Sequence, residues 1–361
     1  MGAAYLFVAW AGGGNVNPFL GLAEGLLARG HRVRAVATGS LHDRLAAAGI
    51  EPVGAPDGWL PEAGDVLAAV DRDPPDALVV DYMLTGALCG AESSGRPTAA
   101  LVHTLYRQLL VDGAPHPMGM AGSVDAVNEI RAAAGLPPVA SYGELLEAAD
   151  VVLVTAPRAL DAPGEVPANV VYTGALFEGP GPDRGWRPPT GRGPLVVVSL
   201  GTAGDDPAAE TAVLERIVRA LGELPVRGLV TVPDSVDPAR LALPGNVTVT
   251  GYVRHAAVLP HADLVVTHGG LGTVVAALAH GLRMVCLPLG REQPDNARAV
   301  ARIGAGCQVA ADAGIDELAA AVAGQLAEPE GVRLAPDPGR AVALMDELPT
   351  AASGPASVNG T

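Results

Sequence analysis

The chain of 361 residues is too long for one ordinary core, so two domains of about 150 to 200 residues are expected. Its 39 acidic residues outnumber 23 basic ones for a net charge of -16, and every cation is arginine. That balance speaks against nucleic acid and anionic membrane as partners. The missing lysine removes a Walker-type phosphate loop and any Schiff-base mechanism.

In chain order, the first strand candidate is AYLFVAW (4–10). It lacks a basic flank and runs straight into a glycine turn, so it reads as a buried strand rather than a signal peptide. The turn AGGGNVNP leads into a helix with Leu20, Leu22, Leu26 and Leu27 near helical spacing, Pro18 in its first turn and Gly30 at its end. Further strands follow at RVRAVAT (32–38), DALVVDY (76–82), TAALVHT (98–104) and DVVLVTA (150–156), with helical patterns between them. Such alternation predicts a parallel sheet covered by helices.

The pattern breaks at EGPGPDRGWRPPTGRG (178–193), where glycine, proline and charge mark a linker over 179–193. It resumes at PLVVVSL (194–200), RGLVTV (227–232), NVTVTGY (246–252), DLVVTHG (263–269) and RMVCLPL (283–289). The expected organisation is an α/β domain over 1–178, a second α/β domain over 194–335, a helix over 336–349 and a disordered tail over 350–361. Ligands in such sheets bind beyond the carboxyl ends of the strands. Cys89, Cys286 and Cys307 have apolar neighbours and no metal spacing, as expected of reduced thiols in a cytoplasmic protein. No apolar run approaches the roughly 20 residues of a membrane span.

The densest chemistry lies in ADLVVTHGGLGTVVAALAHGLRMVCLPLGREQPDNA, residues 262–297. A strand delivers His268, Gly269, Gly270 and Gly272 form the turn, and Thr273 opens a helix. Glycines admit a close ligand, and a helix N-terminus offers unpaired N–H groups and a partial positive charge, an arrangement suited to a diphosphate. Glu292 and Gln293 follow the next strand, where a carboxylate beside an amide can hold hydroxyls.

These residues resemble the nucleotide-sugar site of the family 1 glycosyltransferases of GT-B fold, particularly the actinobacterial enzymes that decorate natural products. Their H-G-G-x-G-T element corresponds to HGGLGT, and their acid-Gln pair to Glu292-Gln293. VVVSLGT resembles the start of their second domain, which implies Ser199 and Thr202 near the diphosphate. GYVRHAAVLPHAD resembles their nucleobase segment, implying that Tyr252 flanks the base and the Val253 backbone reads its edge. The resemblance implies two Rossmann-like domains facing across a cleft. Ala276 departs from it, standing where many relatives carry a ribose-binding acid.

The first turn of that family usually reads G-G-G-H-V-N-P, its histidine acting as general base and an aspartate after the fourth strand orienting it. This chain matches at Gly12, Gly13, Gly14, Val16, Asn17 and Pro18, and Asp81 fits the aspartate, but Asn15 replaces the histidine. An amide has no lone pair basic enough to take a proton near neutrality, whereas general-base catalysis is worth about 10²–10⁴-fold. Four readings stand. Asp81 acts as base, directly or through a water; His103, ending the fifth strand, takes over; the acceptor needs no base because it is an amine, carboxylate, acidic phenol or activated carbon; or the protein binds without catalysing.

Trp59, Tyr82, Tyr106, Met118 and Met120 are expected to line an adaptable acceptor pocket. Asp71-Arg72-Asp73 spells an Asp-x-Asp away from the donor motifs, so it reads as a solvated loop and no metal is expected. The expected protein is a cytoplasmic, inverting, metal-independent glycosyltransferase. It would use a dTDP- or UDP-linked sugar as co-substrate, with no bound cofactor and no nucleic-acid or membrane partner, and a homodimer is one assembly open to it. An epimerase would need an acid and a base facing the sugar carbon, which the chain does not offer. A dinucleotide oxidoreductase fits poorly, because GGGNVN is not G-x-G-x-x-G.

Overall fold

The computed structural model describes residues 2–54, 60–110, 124–177, 186–201, 207–232 and 236–351. Two compact units emerge. The first comprises residues 1–156 and 163–179 together with the C-terminal helix, and the second comprises 157–162 and 180–336.

Seven strands build the first unit: β1 (Ala4–Ala9), β2 (Arg32–Ala37), β3 (Glu51–Gly54), β4 (Ala77–Asp81), β5 (Thr98–Val102), β6 (Val151–Val154) and β7 (Val170–Tyr172). All pair in parallel in the order β3-β2-β1-β4-β5-β6-β7. β1, β4 and β5 are almost continuously apolar because both of their faces are covered. The helices are α1 (Val16–Ala28), α2 (His42–Ala47), α3 (Ala63–Arg72), α4 (Thr85–Ser94), α5 (Val124–Ala133) and α6 (Tyr142–Glu147). α1 buries Leu20, Leu22 and Leu26, as its spacing predicts, and ends before Gly30, whose φ of +83° continues the chain without a Cβ penalty.

The second unit contains β8 (Leu195–Ser199), β9 (Arg227–Thr231), β10 (Val247–Thr250), β11 (Leu264–Thr267), β12 (Arg283–Cys286) and β13 (Gly306–Gln308). These too are parallel, in the order β10-β9-β8-β11-β12-β13. Its helices are α7 (Pro207–Gly222), α8 (His255–Val258), α9 (Leu271–His280), α10 (Gln293–Arg302) and α11 (Ile315–Ala327). The six residues 157–162 join this unit through Arg302, whose guanidinium donates to the carbonyls of Ala159, Leu160 and Asp161.

The last helix, α12 (Pro338–Ala351), returns to the first unit. It rests on α1 where Gly25 leaves room for Val342; a Cβ on Gly25 would lie 2.5 Å from Val342 Cγ2. Polar contacts fix it as well. The Tyr5 hydroxyl donates to the Met345 carbonyl at 2.7 Å, and Arg29 and His31 both reach Asp346.

Each sheet has one place where the strand order reverses, between β1 and β4 in the first and between β8 and β11 in the second. Adjacent crossovers leave in opposite directions there and open a crevice at the carboxyl ends of the strands. The sequence candidates Asn15 and Asp81 follow or end the first strand pair, and Ser199 and His268 the second.

Candidate functional site

In the first unit, three side chains converge beyond β1, β4 and β5. Asp81 ends β4 and is fully buried. Its Oδ1 accepts the Met83 N–H at 3.0 Å and faces His103 Nε2 at 3.1 Å. Its Oδ2 faces the same nitrogen at 3.2 Å and accepts from Asn15 Nδ2 at 3.2 Å. Parallel register explains the meeting: Asp81 pairs with Leu101, which puts His103 just past the end of the neighbouring strand. A carboxylate offers only lone pairs, so Nε2 must carry the proton that bridges the two groups.

Asn15 is committed on both ends of its amide. Besides Asp81, Nδ2 donates to the Trp10 carbonyl at 3.0 Å, and Oδ1 accepts the Gly12 N–H at 3.1 Å. It sits at the start of α1 but does not cap it, and instead ties the glycine turn to the carboxylate. Within that turn Gly13 is exposed with φ +93°. The His103 ring stands edge-on to Tyr82 at 4.7 Å between centroids, and its side chain keeps 12% exposure. The Tyr142 hydroxyl donates to the Tyr82 carbonyl. Burial, reinforced by the Asp81 charge, pushes that phenol well above its usual pKa and keeps it a neutral donor.

Two polar atoms at this end of the sheet, Trp10 Nε1 and Thr104 Oγ1, are buried without a protein partner among the described residues.

The acceptor-lining expectation needs correction in part. Tyr82 and Tyr106 are interior: Tyr106 is fully buried and donates to Glu147 Oε1 at 3.1 Å, and Tyr82 packs against His103. Both belong to the core because β-strand ends and α6 close over them. Trp59, Met118 and Met120 lie outside the described residues. The Asp71-Arg72-Asp73 string is not the loop expected of it: Asp71 and Arg72 form the last residues of α3, and Asp73, which caps it, pairs with Arg32 and Arg34.

In the second unit, Thr267 pairs with Ser199, so His268 emerges beside the end of β8. Its ring is wedged between two glycines. A Cβ on Gly201 would lie 2.9 Å, and one on Gly270 2.5 Å, from Nε2. Burial lowers the His268 pKa to about 4, against the raising effect of a hydrogen bond to the Ser199 backbone. The ring is therefore neutral at ordinary pH and acts as a hydrogen-bond donor rather than a cation. Gly270 then caps α9 with no side-chain cap and no acid in the first turn, leaving the helix N-terminus to attract an anion. Gly272 and the buried Thr273 lie in that first turn.

Gly269, at φ +88°, packs against the Gln293 carbonyl, and Asn296 Nδ2 donates to the Gly269 carbonyl at 3.0 Å. α10 thereby braces the glycine turn. Gln293 Oε1 accepts the N–H groups of Leu289 and Gly290, and Glu292 stands partly buried at the start of α10. The residue before it, Arg291, is the one non-glycine residue with positive φ among those described, at 54°. Tyr252, past the end of β10, is 64% exposed, an uncovered aromatic face, and Val253 beside it is partly buried. Thr202 lies outside the described residues.

Sequence reasoning missed two groups here. His255, opening α8, places Nε2 3.4 Å from Ser199 Oγ, and burial lowers its pKa to about 4. Asn296 is fully buried. An asparagine inside an alanine-rich helical pattern is a poor helix former, and that mismatch was the available signal.

Among the described residues, no group of three or more His, Cys, Asp or Glu side chains is placed to hold a metal ion. No helix among them is long and apolar enough to cross a membrane.

Residues 131–329, more than half of the chain, match the family of UDP-glucoronosyl and UDP-glucosyl transferases. The chain is 28% identical to 4'-demethylrebeccamycin synthase of Lentzea aerocolonigenes, over 85% of this chain and 87% of that one. It is also 28% identical to oleandomycin glycosyltransferase of Streptomyces antibioticus, over 83% and 77% respectively. The crystal structure of CalG4, the calicheamicin glycosyltransferase, superposes with a TM-score of 0.74 at 25% identity, covering 98% of this chain and 96% of that one. Two parallel-sheet α/β domains with these neighbours define a GT-B glycosyltransferase. The chain belongs to the UDP-glucoronosyl and UDP-glucosyl transferase family, and is a glycosyltransferase of the natural-product type.

Proposed function

We propose that this enzyme transfers a sugar from a dTDP- or UDP-linked donor to a small natural-product acceptor, inverting the anomeric carbon without a metal ion. The observation that carries the reading is the neutral His268 wedged between Gly201 and Gly270 at the uncapped start of α9. Donors fixed in this way stabilise charge as it develops on a departing diphosphate, at no cost in reorganisation. A neutral imidazole also leaves the diphosphate's negative charge to the helix terminus, with no need to bind a proton first. On this reading exposed Tyr252 and the Val253 backbone hold the base, Ser199 and Thr202 assist at the diphosphate, and Glu292 and Gln293 take sugar hydroxyls.

The experiment is a panel of UDP- and dTDP-sugars incubated with phenol and alcohol acceptors in EDTA, with nucleoside diphosphate release followed by chromatography. Acceptor-dependent release is expected with at least one donor and unchanged by EDTA. Release that requires added divalent metal contradicts the metal-free reading, and no release with any pair contradicts the donor assignment.

A further inference from the structure

We propose that His103, not Asp81 or Asn15, is the general base, so that the catalytic dyad of this chain is assembled from β4 and β5 rather than from the β1 turn. The inference rests on the transfer reading above and adds the identity of the proton acceptor.

Three facts of geometry select it. Asp81 is fully buried and already receives N–H groups from Met83, Asn15 and His103, so its oxygens have no surface to offer an entering hydroxyl. Asn15 spends its oxygen on Gly12 and its amide hydrogens on Trp10 and Asp81. Asp81 has no exposed surface and Asn15 is buried, whereas His103 keeps 12% of its side chain exposed. Its Nε2 is bound to Asp81, and Nδ1 makes no hydrogen bond among the described residues. The carboxylate fixes the Nε2–H tautomer, which leaves the Nδ1 lone pair as the basic site. The edge-on contact with Tyr82 holds the ring in that orientation.

The acceptor O–H bond breaks and its proton passes to His103 Nδ1. The freed oxygen pair forms the new bond to the anomeric carbon, whose bond to the diphosphate oxygen breaks, with that electron pair leaving on the nucleoside diphosphate. The imidazolium so formed is stabilised through Nε2–H by Asp81 and returns its proton to solvent. Asp81 and Asn15 are positioning residues: one sets the tautomer, the other holds the carboxylate.

Two measurements test this. In the resting protein, 15N NMR of the imidazoles, with the His103 signals assigned by their loss in His103→Asn, should show the neutral Nε2–H tautomer; an Nδ1–H tautomer overturns the proposal whatever the turnover. In the second, transfer from UDP-glucose and dTDP-glucose to 4-nitrophenol, 4-methylumbelliferone and cyclohexanol is compared between wild type and His103→Asn. The variant should lose about 10²–10⁴-fold in kcat, most with the aliphatic alcohol, and lose the acid limb of the pH profile, while UDP and dTDP bind as before. Adding Asn15→His to that variant should restore at least about tenfold of the loss, because the Asn15 amide already stands 3.2 Å from Asp81 Oδ2. A His103→Asn enzyme within about threefold of wild type, alongside an inactive Asp81→Asn, overturns the proposal in favour of Asp81. If the wild type transfers no sugar, the transfer reading fails and the general-base role fails with it, whatever tautomer His103 shows.

Discussion

Gly270→Ala tests whether the His268 imidazole, rather than the helix terminus alone, holds the donor's diphosphate. The backbone tolerates the change, since Gly270 sits at φ -60° and ψ 136°, ordinary values for alanine. The added methyl, however, would lie 2.5 Å from Nε2 and 2.8 Å from Cε1, where ordinary contact begins at 3.4 Å. The ring must retreat by about 0.9 Å, the difference between those limits. A shift of that size takes its N–H out of hydrogen-bond range. One hydrogen bond to a charged group contributes about 1.5–3 kcal/mol, so affinity for UDP or dTDP should fall about 10- to 150-fold. Isothermal titration calorimetry reads this directly. Gly324→Ala is the control, because a Cβ there meets nothing within 4 Å. Affinity within about twofold of wild type for Gly270→Ala, with the fold intact, would refute the assignment of His268.

Three further outcomes follow from the same geometry. Tyr252→Ala should weaken UDP and dTDP binding by about 1–3 kcal/mol, the usual worth of a base stacked on an aromatic ring, with no loss of thermal stability since the side chain is exposed; unchanged affinity on titration removes it from the nucleobase site. His255 and His268 have folded pKa values of about 4 against the ordinary 6.5, so protonation favours the unfolded chain. Their contribution is intact above about pH 6.5 and is lost as pH falls toward 4, roughly 1–3 kcal/mol each after allowing for partial exposure. Urea midpoints should therefore drop between pH 7 and 5, above the carboxylate range, and His255→Gln should flatten the slope; a flat wild-type profile contradicts it. Gly25→Ala should destabilise the first unit by about 1–3 kcal/mol through its clash with Val342 on α12, measured as a lowered Tm, and an unchanged Tm would show that α12 yields freely.

The alternation of apolar runs made ten of the thirteen strands among the described residues legible, and the exceptions have physical reasons. β3 reads EPVG, a proline and a glycine that signal a turn, and its place at the sheet edge is what tolerates them. β7 and β13 are three residues each, too short for a period to register. The glycine turn at 269–272 and the acid-Gln pair stood out because their backbone requirements are local. What brings Asp81, His103 and Asn15 together is not local: it depends on β5 lying beside β4 in a register that pairs Asp81 with Leu101. Each residue was visible as a candidate, but their bonding was not. The burial of Tyr82 and Tyr106 was hidden for the same reason, since the α6 residues that bond to them lie 60 and 41 positions away in the chain. The return of α12 to the first unit joins residues more than three hundred positions apart, a contact no window of sequence contains.

The central claim is displacement of a nucleoside diphosphate by an acceptor hydroxyl at an inverted sugar carbon. The most direct test is 1H NMR of the reaction of an α-linked UDP- or dTDP-sugar with acceptor in EDTA. The account predicts a β-glycoside and one nucleoside diphosphate released per glycoside formed. An α-glycoside, or nucleotide release that yields only free sugar, would contradict it.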